Sequence, residues 1–125
     1  MAFEEQEMRD HKKLRAFELA DQLAMLTYKQ TALLPKEELF GLVSQMRRAA
    51  VSVASNIVEG CSRSSTVEYV RFLEVAYGSA RELEYQISLA ERLYPVSASS
   101  EWSSIATETC KVLNGLMRAL REKES

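Results

Sequence analysis

The side chains able to carry chemistry are few in this sequence. His11 is its one histidine, and it lies in a charged stretch, Met8-Arg-Asp-His-Lys-Lys13. A Ser-His-Asp centre would have to use that residue. HExxH zinc chemistry needs two histidines, and a helical di-iron site needs two Glu-x-x-His pairs, so both are excluded. Cys61 and Cys110 form no CxxC pair and have no histidine at ligand spacing, so they read as free thiols rather than zinc ligands. No GxGxxG or GxxxxGK[ST] loop is present to hold a dinucleotide or a phosphate chain. Glu59, Glu82, Glu84 and Glu91 are the remaining acid–base candidates, and their positions are those of exposed charges between helices. The expectation is therefore a protein that is not an enzyme, with no catalytic residue, metal or cofactor.

The densest polar pattern is Gln45 to Gly60, QMRRAAVSVASNIVEG. Ala49, Ala50, Ser52, Ala54 and Ser55 are small enough for another helix to approach closely. Arg47 and Arg48 precede Ser52 by one or two turns, and Glu59 follows Asn56 by three residues. Asn56, polar and late in a helix, is expected to bond a neighbouring backbone or a glutamate. Three readings fit this set: a structural polar network at a helix end or subunit boundary, a site for a ligand or phosphate, and, least favoured, a catalytic site.

Four long helical patterns position these residues. The first runs from about Lys12 to Leu33, with Leu14, Phe17, Ala20, Ala24 and Tyr28 at spacings of three and four. Pro35 ends it, because the residue before a proline is driven out of the α region. The second starts near Lys36, with Glu37 and Glu38 at its positive end. It carries Leu39, Leu42, Val43, Met46, Ala49, Ala50, Val53 and Ile57 before Gly60, which suits a left-handed cap. The third opens on a capping box, Ser65 and Glu68, and its stripe runs from Tyr69 through Ala80 to Tyr94. The fourth follows the Ser97–Ser100 turn, with Trp102, Ile105, Val112, Leu113, Leu116 and Leu120 inward and Arg118, Arg121 and Lys123 at its negative end. Short breaks between helices of similar length predict an all-α fold, an antiparallel up-down-up-down four-helix bundle over residues 12–123. Residues 1–11 read as a flexible leader.

The 125 residues suffice for one domain. With 16 basic and 18 acidic side chains, the net charge of −2 advertises no polyanionic partner. The N-terminus lacks the apolar core of a secretory signal. Charges interrupt every apolar stretch too often for a membrane span, so no membrane association and a cytoplasmic location are expected. The first helix carries more apolar surface than a core requires. Leu14, Phe17, Ala20, Ala24, Met25 and Tyr28 form one face, and Leu19, Leu23, Leu26 and Leu33 form a second. The second face either packs sideways within the same bundle or meets another chain. The latter is favoured, which makes Leu19, Leu23 and Leu26 the candidate oligomer interface.

The pattern Gln45, Arg47, Arg48, Ala49, Ser52, Asn56, Ile57, Glu59 and Gly60 resembles the signature of the four-helix-bundle proteins named after intervening sequences in bacterial 23S ribosomal RNA. Leu14, Phe17, Ala20 and Tyr28, Pro35, Phe40-Gly41-Leu42, Glu68-Tyr69, Phe72-Leu73, Ala76, Gly78-Ser79 and Glu82-Leu83 extend the likeness over about residues 13–120. The fourth helix matches only by pattern. The resemblance implies a homopentameric ring. It also implies kinship with accessory variability proteins of diversity-generating retroelements, which bind nucleic acid and a reverse transcriptase. Those relatives look basic and this chain does not. Two functions follow as expectations: a scaffold or interaction module whose partner is itself, and an accessory protein binding nucleic acid or a nucleic-acid-processing protein. In the second, Lys12, Lys13, Arg15, Arg47 and Arg48 would form a basic ring in the assembled oligomer, contacting phosphates.

Overall fold

A computed structural model of the chain describes residues 8–124. They fold as a four-helix bundle with no strand among them: α1 (Arg15–Thr31), α2 (Ser44–Cys61), α3 (Thr66–Leu93) and α4 (Ser100–Glu124). Ser65 caps α3 as its sequence predicts, its side chain accepting from Glu68 N at 3.1 Å. The chain between α1 and α2 is helical but not α-helical. A 3-10 turn at Lys36–Glu38 leads into a π turn at Leu39–Val43, within which Gly41 leaves the helical region at φ −112° and ψ −107°. This irregular turn carries Phe40, which is 92% exposed.

The core has two halves. Toward one end Ala20, Val53, Ile57, Tyr69, Leu73 and Leu113 pack together. Toward the other, Leu23, Met46, Ala50, Leu83, Ile87 and Trp102 do so. The α3 stripe is inward as its spacing predicts, from Tyr69 through Ala76 and Ala80 to Ala90.

The rotation of α1 differs from the sequence expectation. Leu19 and Leu23, assigned above to an oligomer interface, are 3% and 0% exposed within the single chain, and Leu26 is half-buried. The buried stripe is Ala16, Leu19, Ala20, Leu23, Thr27 and Thr31. Met25 and Tyr28, placed inward by the helical wheel, face out. The cause is the two threonines. Thr27 donates to Leu23 O at 2.7 Å and Thr31 to Thr27 O at 2.6 Å. Each hydroxyl is thereby satisfied by its own helix and can be buried.

Gly60 also acts differently from its expected role. It adopts no positive φ, and α2 continues through Cys61. A Cβ there would lie 3.0 Å from Tyr69 Cδ1 and 3.1 Å from Phe72 Cβ. The residue is glycine because α2 and α3 meet there almost backbone to backbone. Of the expected leader, residues 1–7 lie outside the described residues, whereas 8–11 pack against the bundle. Tyr69 donates its hydroxyl proton to Met8 O, Arg9 donates to Arg63 O, and His11 meets Phe17 edge to face at 4.8 Å.

Two substitutions test this packing by urea denaturation. Leu23→Glu should destabilise the fold by more than about 3 kcal/mol, because it removes core volume and buries a carboxylate; folded monomers would instead restore the interface reading. Gly60→Ala should cost about 1–3 kcal/mol by overpacking, and an unchanged midpoint would mean that the α2–α3 contact is looser than described.

Candidate functional site

The signature residues of α2 occupy three faces of the helix, and their surroundings assign each a job. Arg47 turns toward α1. Its Nε donates to Thr31 Oγ1 at 3.0 Å and its Nη2 to Tyr28 O at 3.3 Å, with the guanidinium 4.6 Å from the Tyr28 ring centroid. Tyr28 O already accepts from Ala32 N at 3.3 Å, so Arg47 adds a second donor there and places a cation at the negative end of α1. Arg47 is thus a clamp between α1 and α2, and its fork is committed to its own chain rather than to phosphate.

Ser52 and Asn56 form a half-buried network facing α3. The Ser52 and Ser79 hydroxyls bond at 2.8 Å. Asn56 Nδ2 donates to Ser52 O at 2.8 Å and to Ser52 Oγ at 3.0 Å. Asn56 therefore bonds its own helix rather than a neighbour or a glutamate. Glu59 pairs with Arg63, whose guanidinium lies 4.8 Å from the Phe72 ring centroid. Gln45 and Arg48 point into solvent.

Two hollows flank the outer side of α2. One, of about 330 Å³, is lined by Phe40, Gln45, Arg48, Ser52, Ser79 and Glu82. The other, of about 540 Å³, lies toward α1 and includes Tyr28, Leu39, Phe40, Val43, Arg48 and Val51. Phe40 and Arg48 border both. Phe40 and Ser79 stood in the sequence only as flanking matches. What gives Phe40 away is its place beside Gly41 in a turn that cannot bury it.

The candidate nucleic-acid residues do not come together in one chain. Lys12 and Lys13 are exposed in a 3-10 turn before α1, and Arg15 pairs with Glu18 at 2.7 Å. Arg47 sits at the other end of α1. Sixteen residues of α-helix separate the two places by about 24 Å.

The carboxylates are likewise dispersed. Glu82 accepts from Gln86 Nε2 at 3.1 Å, Glu84 from Thr107 Oγ1 at 2.8 Å, and Glu91 from Ser99 N at 2.9 Å beside the start of α4. Cys61 Sγ donates to Tyr69 Oη at 3.4 Å. Burial raises the Cys61 thiol above its ordinary pKa and pushes Cys110 up to about 11. Both are held as thiols near neutrality, the less nucleophilic form. No cluster of three or more potential metal ligands occurs among the described residues. Nor is any helix among them long and apolar enough to cross a membrane.

The sequence profile of the 23S rRNA-intervening sequence protein family matches residues 12–115. The chain belongs to that family. A solved structure with the same fold is a protein of unknown function from the S23 ribosomal protein family of Bacteroides thetaiotaomicron. The two are 21% identical, with a TM-score of 0.70 over 82% of this chain and 97% of the other. No curated protein matches the chain significantly. In this family member the signature divides into a clamp (Arg47), a polar network (Ser52, Asn56), a close-approach point (Gly60) and an outward cation (Arg48).

That division is testable by denaturation. Arg47→Ala should cost about 1–3 kcal/mol through lost charge-assisted bonds, whereas Arg48→Ala should stay within about 0.5 kcal/mol. The reverse ranking would contradict the clamp.

Proposed function

We propose that this protein is a non-catalytic, homo-oligomeric scaffold or interaction module of the cytoplasm. Its four helices run antiparallel in up-down-up-down order, and five copies close a ring. The contacts Ser52–Ser79 and Gly60–Tyr69 support opposite directions for α2 and α3, Trp102–Thr27 ties α1 to α4, and Gln30–Ser97 ties the end of α1 to the turn that precedes α4. The observation that carries association is the apolar surface at the start of α2. Phe40 is 92% exposed beside Leu39, Tyr28 and Val51, each nearly half exposed. Burying one such phenylalanine is worth about 1.5–3 kcal/mol, and a large apolar side chain standing in solvent marks an interaction surface. The number five comes from the family resemblance and agrees with a closed point group.

A second reading is a nucleic-acid accessory protein. Arg48 favours it, since it is an exposed cation with no hydrogen-bond or ion-pair partner among the described residues and borders a hollow beside an exposed aromatic ring, a combination suited to stacked bases. Against it stand the separation of the basic residues along α1 and a net charge of −2, about −10 for five copies.

Sedimentation equilibrium with anisotropy titrations against labelled single- and double-stranded RNA and DNA separates the readings. The scaffold reading expects a mass five times the 14.2 kDa chain and no binding at low salt. A monomer would overturn it. Micromolar binding that falls steeply with salt would move the assignment to the accessory protein.

A further inference from the structure

The smaller hollow, between α2 and α3, has walls of opposite character. On the α2 side stand Gln45 and Arg48, both exposed and one helical turn apart on the same face. The guanidinium offers only hydrogen-bond donors, and the Gln45 amide adds an N–H pair. On the α3 side stand Ser79 and Glu82, again one turn apart. Glu82 brings a negative charge and accepting oxygens. The Ser52–Ser79 hydroxyl pair joins the two walls, and the Phe40 ring borders the hollow from the irregular turn before α2.

Arg48 and Glu82 share this hollow, yet they form no ion pair with each other. Arg48 has no hydrogen-bond or ion-pair partner among the described residues. Glu82 is held by its own helix instead. Its Oε1 accepts from Gln86 Nε2 at 3.1 Å, one turn further along α3. Gln86 is 5% exposed, and its own Oε1 is buried with no hydrogen-bond partner among the described residues. Leaving a buried carbonyl unpaired is costly. Turning the amide over would set that oxygen against the carboxylate, so Gln86 keeps the orientation that holds Glu82 beside the hollow.

Two opposite charges that border one hollow without neutralising each other match a ligand that carries both. We propose that this hollow binds a small zwitterion, a free aromatic α-amino acid. Its carboxylate lies on Arg48 and Gln45, its ammonium on Glu82 and Ser79, and its side chain against the Phe40 ring. A guanidinium fits a carboxylate through two parallel N–H donors. An ammonium has three donors for carboxylate and hydroxyl oxygens, and aromatic rings stack favourably. The volume of about 330 Å³ is near the small end for small-molecule sites, which suits a single amino acid. A phosphate would meet the like charge of Glu82, and a simple amine would meet that of Arg48. The site lies within one chain and does not require the oligomer proposed above.

Saturation-transfer NMR titrations of the whole protein test this with four probes. L-phenylalanine carries both charges and the ring. Phenylpropionate lacks the ammonium, phenethylamine lacks the carboxylate, and L-alanine lacks the ring. L-phenylalanine should bind with submillimolar affinity, and each truncated probe about tenfold more weakly or worse. Two variants then assign the contacts. Arg48→Gln should weaken L-phenylalanine about tenfold and not weaken phenethylamine, which has no carboxylate to lose. Glu82→Gln should weaken L-phenylalanine likewise and not weaken phenylpropionate. Arg118→Gln, on the exposed side of α4, removes a charge away from the hollow and should change nothing. The wild-type probe series needs no variant, so a variant that fails to fold leaves the test intact. No transfer to L-phenylalanine at millimolar concentration, equal affinity for the truncated probes, or unchanged affinity in both variants would overturn the inference. So would adenosine monophosphate binding more tightly than L-phenylalanine and more tightly still to Glu82→Gln, which would mark a nucleotide site. Loss of oligomer mass in the two variants, with no probe bound by wild type, would overturn it as well and assign the hollow to another copy. A monomeric wild type that binds L-phenylalanine as described would overturn the oligomer and leave this site standing.

Discussion

The close approach of α2 and α3 governs the rest of the architecture. At Gly60 the two helices come so close that a Cβ would lie 3.0 Å from Tyr69 Cδ1 and 3.1 Å from Phe72 Cβ, tighter than ordinary contact. Two turns earlier they meet through a pair of serine hydroxyls, Ser52 and Ser79. Ala49 and Ala50 on one helix and Ala76 and Ala80 on the other are buried along the same stretch. Packing this tight leaves no place for a long charged stem on the inner side of α2. Polar groups there must be short and locally satisfied, as Asn56 is by Ser52. Much of the family signature follows from this geometry rather than from any reaction.

The other two helices adapt to that pair. Trp102 of α4 fills one half of the core and donates its indole N–H to Thr27 at 3.1 Å, while Thr27 donates onward to its own helix. A buried indole N–H left without a partner would cost about 1–3 kcal/mol, so Thr27 is as much a core residue as any leucine beside it. Arg47 then fastens the end of α1 to α2 across an irregular connection. The connection leaves the α geometry between Lys36 and Val43, and Phe40 stands out from it.

Helix existence and the α3 stripe were legible in the sequence, because Ser65, Pro35 and a long three-four repeat are local signals with local causes. The rotation of α1 was not. A hydropathy wheel counts threonine as polar, and it cannot see that Thr27 and Thr31 each bond the carbonyl four residues back. Leu19 and Leu23 therefore read as surface when they are core. Gly60 misled in a similar way: a glycine near a helix end is usually a cap, and only the position of Tyr69 reveals a packing contact. The candidate site was legible as a segment, Gln45 to Gly60, but not as roles. Arg47 and Arg48 are neighbours in sequence, yet they point 100° apart on the helix, one into a clamp and one into solvent.

In the oligomer proposed above, α2 packs on its own α3 on one side, and the apolar surface around Phe40 at its start is covered by another copy. Hydroxyl-radical footprinting of the unmodified protein probes this directly. Phe40, 92% exposed in the single chain, should be labelled less, after correction for intrinsic reactivity, than Tyr85 on α3, which is 61% exposed. Labelling of Phe40 in proportion to its exposure in the single chain would contradict the account.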